Sequence, residues 1–153
     1  MRIAENAALP LLQVPIDTTG SAIATGTINM ESVKDLSIII VTGAIASAAA
    51  AQAVTLSQAT DSSKTGAKTL AFNHYYLGST TVDSCVKTTV TSNTFNLTAS
   101  STHVIPIDAS ALDRANDFTH VYVNVSSPGA AASLIAIFAV CSMQRYNKIT
   151  ALD

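Results

Sequence analysis

The sequence predicts an all-β protein, a jelly-roll-like β-sandwich of about eight strands with one short helical turn. Three observations carry this expectation. Apolar residues recur with a period of two rather than 3.6 along most of the chain. Gly, Pro, Ser and Asn turn signals cut it into segments of strand length. Only one short segment carries a helix-start signal, and many short strands at such spacing fit a sandwich or barrel.

Residues 1–17 hold Pro10 and Pro15 and show no sustained periodicity. Proline lacks the amide a central strand needs, so this stretch is expected to be an extended N-terminal arm or an edge. A β-sandwich domain is expected over 18–146 and a short tail over 147–153. Gly20 marks a turn at 18–21, and 22–30 reads as a first strand. Glu31, Lys34 and Asp35 cluster as a loop or single helical turn. Residues 36–41 are apolar on both parities through Ile38, Ile39 and Ile40, the mark of a strand covered on both faces. In 50–59, Gln52, Val54, Leu56 and Gln58 alternate with Ala53, Thr55 and Ser57, so a strand is expected despite the helix-favouring alanines before it.

The polar run 61–68 with Gly66 reads as a hairpin loop, followed by short strands at 69–72 and 74–77. Val82, Ser84, Val86, Thr88 and Val90 share one parity, which predicts a half-buried strand. Ser92 and Asn93 supply a turn before a short strand at 94–97, and 99–102 is a loop. Pro106 interrupts 103–107 and marks it as an edge or a strand end. Asp108 can cap a helical turn over 109–114. In 117–125, Thr119, Val121, Val123 and Val125 oppose Phe118, His120, Tyr122 and Asn124, the clearest strand pattern in the chain. Pro128-Gly129 is a type II turn signature. The last strand, 132–143, is again apolar on both parities.

The 153 residues fit one domain, with 48% hydrophobic and only 12% charged residues. Eight Lys and Arg against ten Asp and Glu leave a net charge of −2, too few cations for a phosphate-binding patch, so nucleic acid is not an expected partner. High hydrophobicity at low net charge also argues against disorder. The uncharged stretch from Leu36 to Leu56 is long enough to span a bilayer, but Ser37, Thr42, Ser47, Gln52 and Thr55 interrupt it. Two strands and a loop explain it better than a membrane span. Glu5, Pro10 and Gln13 make the N-terminus a poor signal peptide. Cys85 and Cys141 read as unpaired, buried small hydrophobes.

Catalytic constellations are not legible. Gly66-Ala67-Lys68-Thr69 lacks the spacing of a phosphate loop, and no Gly-x-Ser-x-Gly elbow occurs. His74, His103 and His120 have no ligand at zinc-pair spacing, and His120 is expected in a half-buried aromatic strip with Phe118 and Tyr122. Asp108, Asp113 and Asp117 do not match a calcium loop and are expected to cap and be solvated. Asn96-Leu97-Thr98 and Asn124-Val125-Ser126 match the glycosylation triplet, as chance allows in a chain rich in Ser and Thr. The expectation is a protein that is not an enzyme, with no catalytic residue, metal, cofactor or small-molecule substrate.

What the chain does offer is surplus apolar surface. A two-layer sandwich covers one face of each sheet, yet Leu134, Ile135, Ile137, Phe138 and Val140 are apolar on both parities. Covering that surface with a second copy, as a dimer or trimer, is favourable. In the arm, Leu9, Leu11, Leu12, Val14 and Ile16 are expected to lie against a neighbour.

The succession of Gln58–Leu70 (QATDSSKTGAKTL), Ile105–Leu112, Asp117–Val123 (DFTHVYV) and a final apolar strand ending in Gln144-Arg145-Tyr146 resembles small virion proteins of tailed bacteriophages, of the capsid cement or decoration type. The likeness covers about residues 36–146. It implies a virion structural protein, made in the host cytoplasm, that sits on the outer capsid surface and bridges major capsid proteins. Two other readings stand beside it: another virion component, such as a head–tail connector, tail or fibre protein, and a carbohydrate-binding β-sandwich module, for which the absence of Trp is poor support.

Overall fold

The computed structural model describes residues 7–47, 49–79 and 85–143. In chain order they form β1 (Ala7–Ala8), β2 (Leu11–Asp17), β3 (Ile23–Ala24), β4 (Ile28–Asn29), β5 (Val33–Ile45), β6 (Ala53–Ala59), β7 (Lys68–Thr69), β8 (His74–Ser79), β9 (Cys85–Thr89), β10 (Thr94–Asn96), β11 (Ser101–Asp108), β12 (His120–Val125) and β13 (Ser133–Met143). Two 3-10 turns, Ala109–Ala111 and Arg114–Asn116, join β11 to β12.

The strands make two antiparallel sheets. The first runs β1-β13-β5-β11-β8-β9, with β2 beside β1 on the outer edge of β13. The second runs β10-β6-β12-β3, with β7 on β6 and β4 on β12. With β1 and β2 taken as one broken strand along β13, β3 and β4 as another, and β7 and the β8–β9 hairpin set aside, eight strands remain. They pair first with last (β2·β13), second with seventh (β3/β4·β12), third with sixth (β5·β11) and fourth with fifth (β6·β10). Successive pairs of this nested set fall in opposite sheets.

Period-two alternation builds the single core between the sheets. Leu36, Ile38 and Ile40 of β5, Ile105 and Ile107 of β11, and Ile135, Ile137 and Ala139 of β13 point inward from the first sheet. Val54 and Leu56 of β6 and Val121, Val123 and Val125 of β12 meet them from the second. A buried polar knot closes one end. Gln52 donates from Nε2 to Thr18 Oγ1 (3.2 Å) and accepts from the Ser133 hydroxyl, while Thr18 Oγ1 donates to the Ser133 carbonyl (3.2 Å).

The all-β sandwich stands as expected, and several turns do too. Gly20 and Gly129 take the positive φ their turns require, +73° and +74°. Asp108 caps the first 3-10 turn, its Oδ1 accepting from the Ser110 amide at 2.7 Å.

Other expectations are corrected. Of the arm and the edge expected of residues 1–17, the described residues 7–17 take the edge, running along β13 at the margin of the first sheet. The strand at 22–30 breaks into β3 and β4, and at the break the Thr25 hydroxyl accepts from the Val123 amide (3.1 Å) in place of a ladder carbonyl. Lys34 and Asp35 belong to β5, not to a loop. β9 is exposed rather than half-buried: Val86 is 57% exposed, and among the described residues β9 is the edge strand of its sheet, paired with β8 alone. Cys85 is exposed for the same reason, and only Cys141 is buried. β11 lies between β5 and β8 despite Pro106, since pairing with β8 ends at Val104, before the missing amide matters. Residues 80–84 and the tail 147–153 lie outside the described residues.

Candidate functional site

The two outer faces of the sandwich differ in chemistry. On the second sheet the outward side chains are Ala53, Thr55 and Ser57 of β6 and His120, Tyr122 and Asn124 of β12. Asn124 donates to the Ser57 hydroxyl at 2.9 Å. The 61–68 loop folds back over this face. Asp61 Oδ1 accepts from the amides of Ser63 (2.9 Å) and Thr65 (3.0 Å), which fixes the loop. Lys64 then sits 4.6 Å above the Tyr122 ring, and Lys68 sits 4.1 Å above Phe118 while pairing with Asp113. This face is polar and carries a cover from its own chain.

The first sheet's outer face has the opposite character. The antiparallel register aligns its outward residues in rows across the strands. One row is bulky: Phe138, Ile39, Val104 and Tyr76. The next is small: Ala136, Val41, Thr102 and Gly78. Charges sit at the margins, with Asp35 and Asp108 paired at one end and Lys87 opposite Tyr76 on β9. A groove of about 310 Å³ opens where the small row meets β2, lined by Ile16, Val41, Gly43, Leu134 and Ala136 among others. Leu134 leans across Gly43, where a Cβ would come within 3.1 Å of it.

The residues singled out from the sequence divide between these surroundings. Leu9, between β1 and β2, and Leu11, Val14 and Ile16 on β2 are exposed, at 54, 59, 55 and 43%. Leu12 turns inward and packs on the core. Leu134, Phe138 and Val140 lie on the outer face, with Leu134 48% exposed. Ile135 and Ile137 belong to the core and present nothing to a partner, because alternate residues of a strand face opposite sides. Sequence reasoning missed Val104 and Tyr76 as members of the same surface; only the register brings them, with Ile39 and Val41 of the doubly apolar run 36–41, into rows with β13.

One buried titratable group stands apart. His103 of β11 is fully buried between the sheets, stacked on Phe95 of β10 (5.4 Å between centroids), which itself stacks on Tyr75 of β8 (4.0 Å). Its Nε2 accepts from the Thr98 amide at 3.3 Å, and Nδ1 has no hydrogen-bond partner. Burial pushes its pKa down to about 4, against a weaker opposing pull from the Ile40 carbonyl. The ring is therefore neutral and structural. His74 and His120 lie elsewhere, on β8 and β12. Asp108 caps and Asp113 pairs with Lys68 and Asn116, as the solvated reading of the aspartates expects. Among the described residues no three His, Cys, Asp or Glu side chains are placed to hold a metal ion, and no helix is long and apolar enough to cross a membrane.

A second groove, of about 430 Å³, lies at the foot of the β8–β9 hairpin between Phe72, Val90, Pro106 and Ile107, with Asn73, Asn93 and Asp108 at its rim. Its polar groups are dispersed, and Asn73 is engaged with the neighbouring His74 ring at 2.5 Å. No family model matches the chain, and neither the curated proteins nor the solved structures give a match.

Proposed function

We propose that the protein is a virion structural subunit of the capsid cement or decoration type, which stabilises a head lattice by bridging major capsid proteins on its outer surface. The observation that carries this reading is the apolar edge of the first sheet, where Leu11, Val14 and Ile16 of β2, and Leu9 just before it, are each at least 43% exposed. Burying such side chains favours a partner surface, and an edge strand also offers backbone groups to it. Pro15 on that edge removes one donor and discourages unlimited strand addition, a device that permits docking without aggregation.

In this reading the nested pairing of the eight strands is taken as jelly-roll-like, an architecture used by viral capsid domains. The resemblance in segment order to phage decoration proteins points the same way. In this reading the protein works through buried area, not chemistry. Several copies each burying roughly 800 Å² per partner gain avidity around a capsid symmetry axis without any reaction.

The test is titration onto undecorated capsids of wild type and of Val14→Asp. Val14 is exposed, so the substitution leaves the fold intact while placing a charge in the apolar edge. The reading expects saturable binding, weakly sensitive to salt and to chelator, and weakened at least tenfold by Val14→Asp. Undiminished binding by the variant removes the edge from the contact, and no binding by wild type removes the function.

A further inference from the structure

We infer that the outer face of the first sheet is a self-complementary dimer interface that takes a second copy of this chain, face to face about a two-fold axis. The bulky row Phe138–Ile39–Val104–Tyr76 and the small row Ala136–Val41–Thr102–Gly78 are adjacent and parallel to each other. A two-fold axis between them, perpendicular to the strands, lays each bulky row in the partner's small row. Phe138 then meets Ala136 of the other copy, and that copy's Phe138 meets Ala136 in return, which is the reciprocal contact an isologous interface requires. Tyr76 falls on Gly78, whose missing side chain leaves space above Thr102 and Cys85. Strands of the two copies run antiparallel across the contact, within the aligned class of sheet packing.

Three features favour a second copy over an unlike partner. Among the described residues the face carries its charges at its margins, so a partner is equally uncharged, and this chain's own face is. The two-fold places the Asp35 and Asp108 end of one copy away from the same end of the other, so like charges do not meet. The area also suffices: five strands about 4.8 Å apart and five to seven residues of about 3.4 Å give roughly 400–570 Å² of flat surface. Side-chain relief raises that toward the ~800 Å² per partner of a specific interface. The second sheet's outer face cannot serve, because the 61–68 loop already lies on it.

The full chain is tested by sedimentation equilibrium at micromolar concentration. The expected mass is twice the 15.8 kDa of one chain. Phe138→Asp should weaken association at least ~30-fold, the size of a hot-spot loss, with an unchanged circular dichroism spectrum. As a second measurement, A136C and F138C chains, both with Cys85→Ser, are mixed and oxidised; the expected product is a covalent heterodimer, with little cross-linking of either chain alone. A single-chain mass, a three-chain mass, or the absence of the mixed cross-link each overturns the inference. Protection of this face only on binding to capsids also overturns it, by making the face a lattice contact. A dimer that never binds capsids refutes the cement function and leaves the dimer standing, so the two failures are distinct.

Discussion

Acidification from pH 7.5 to 4.5 should destabilise the fold through His103. The ring is fully buried in the Phe95–Tyr75 stack with Nδ1 unpartnered, and its pKa falls from 6.5 to about 4. A depressed histidine pKa means that the fold holds the neutral form. Above pH 6.5 folded and unfolded chains are both neutral and nothing is lost. As the pH falls below 6.5 the unfolded chain takes up the proton first, so stability declines until the folded ring also titrates near 4. A shift of this size corresponds to about 3 kcal/mol, a large fraction of a small domain's stability. The hydrogen-bonded carboxylates of Asp17, Asp61, Asp108 and Asp113 have pKa values below their usual 3.8, so their contributions are lost at lower pH, outside this window. Urea midpoints measured at pH 7.5, 6.0, 5.0 and 4.5 read the effect directly. His103→Phe should flatten the profile, while loss of the Thr98 amide's acceptor offsets it uniformly. A wild type whose midpoint is constant over this range, or a variant that keeps the wild-type slope, would refute the argument.

Three further substitutions test the parts that hold the sandwich together. Ser133→Ala should cost about 1–3 kcal/mol by urea titration, because Gln52 Oε1 loses its donor in a buried knot. Gly129→Ala should cost about 1 kcal/mol, since φ of +74° places a Cβ in the left-handed region although nothing crowds it. Asp108→Ala should lower the melting temperature at pH 7, and the difference from wild type should fade as acid protonates the capping carboxylate, whose pKa is held down by its bonds to Ser110.

The parts of the fold legible in the sequence are those decided by local chemistry. The alternation in β12, the cap at Asp108 and the turns at Gly20 and Gly129 each rest on residues within a few positions of one another. What was not legible is set by which strands become neighbours. Val82–Val90 alternates like a half-buried strand, but among the described residues β9 has β8 on one side and no strand on the other, and Val86 and Cys85 face solvent. Pro106 reads as an edge signal, yet β11 is interior because β8 is short enough to stop before it. The proline-broken segment 7–17 reads as an arm or an edge, and the bulges in its pairing with β13, between Ile135 and Phe138, are how an irregular segment still joins a sheet. The candidate surface was half legible. Two-sided apolar runs announced that β5 and β13 carry an outer apolar face, but they could not separate Phe138, which lies on it, from Ile137, which lies in the core.

The cement function is tested most directly by imaging phage particles bound by a label specific for this protein. The account predicts label distributed over the whole head in a regular array, absent from tails. Label confined to one vertex, running along a tail, or missing from the particle altogether would contradict it.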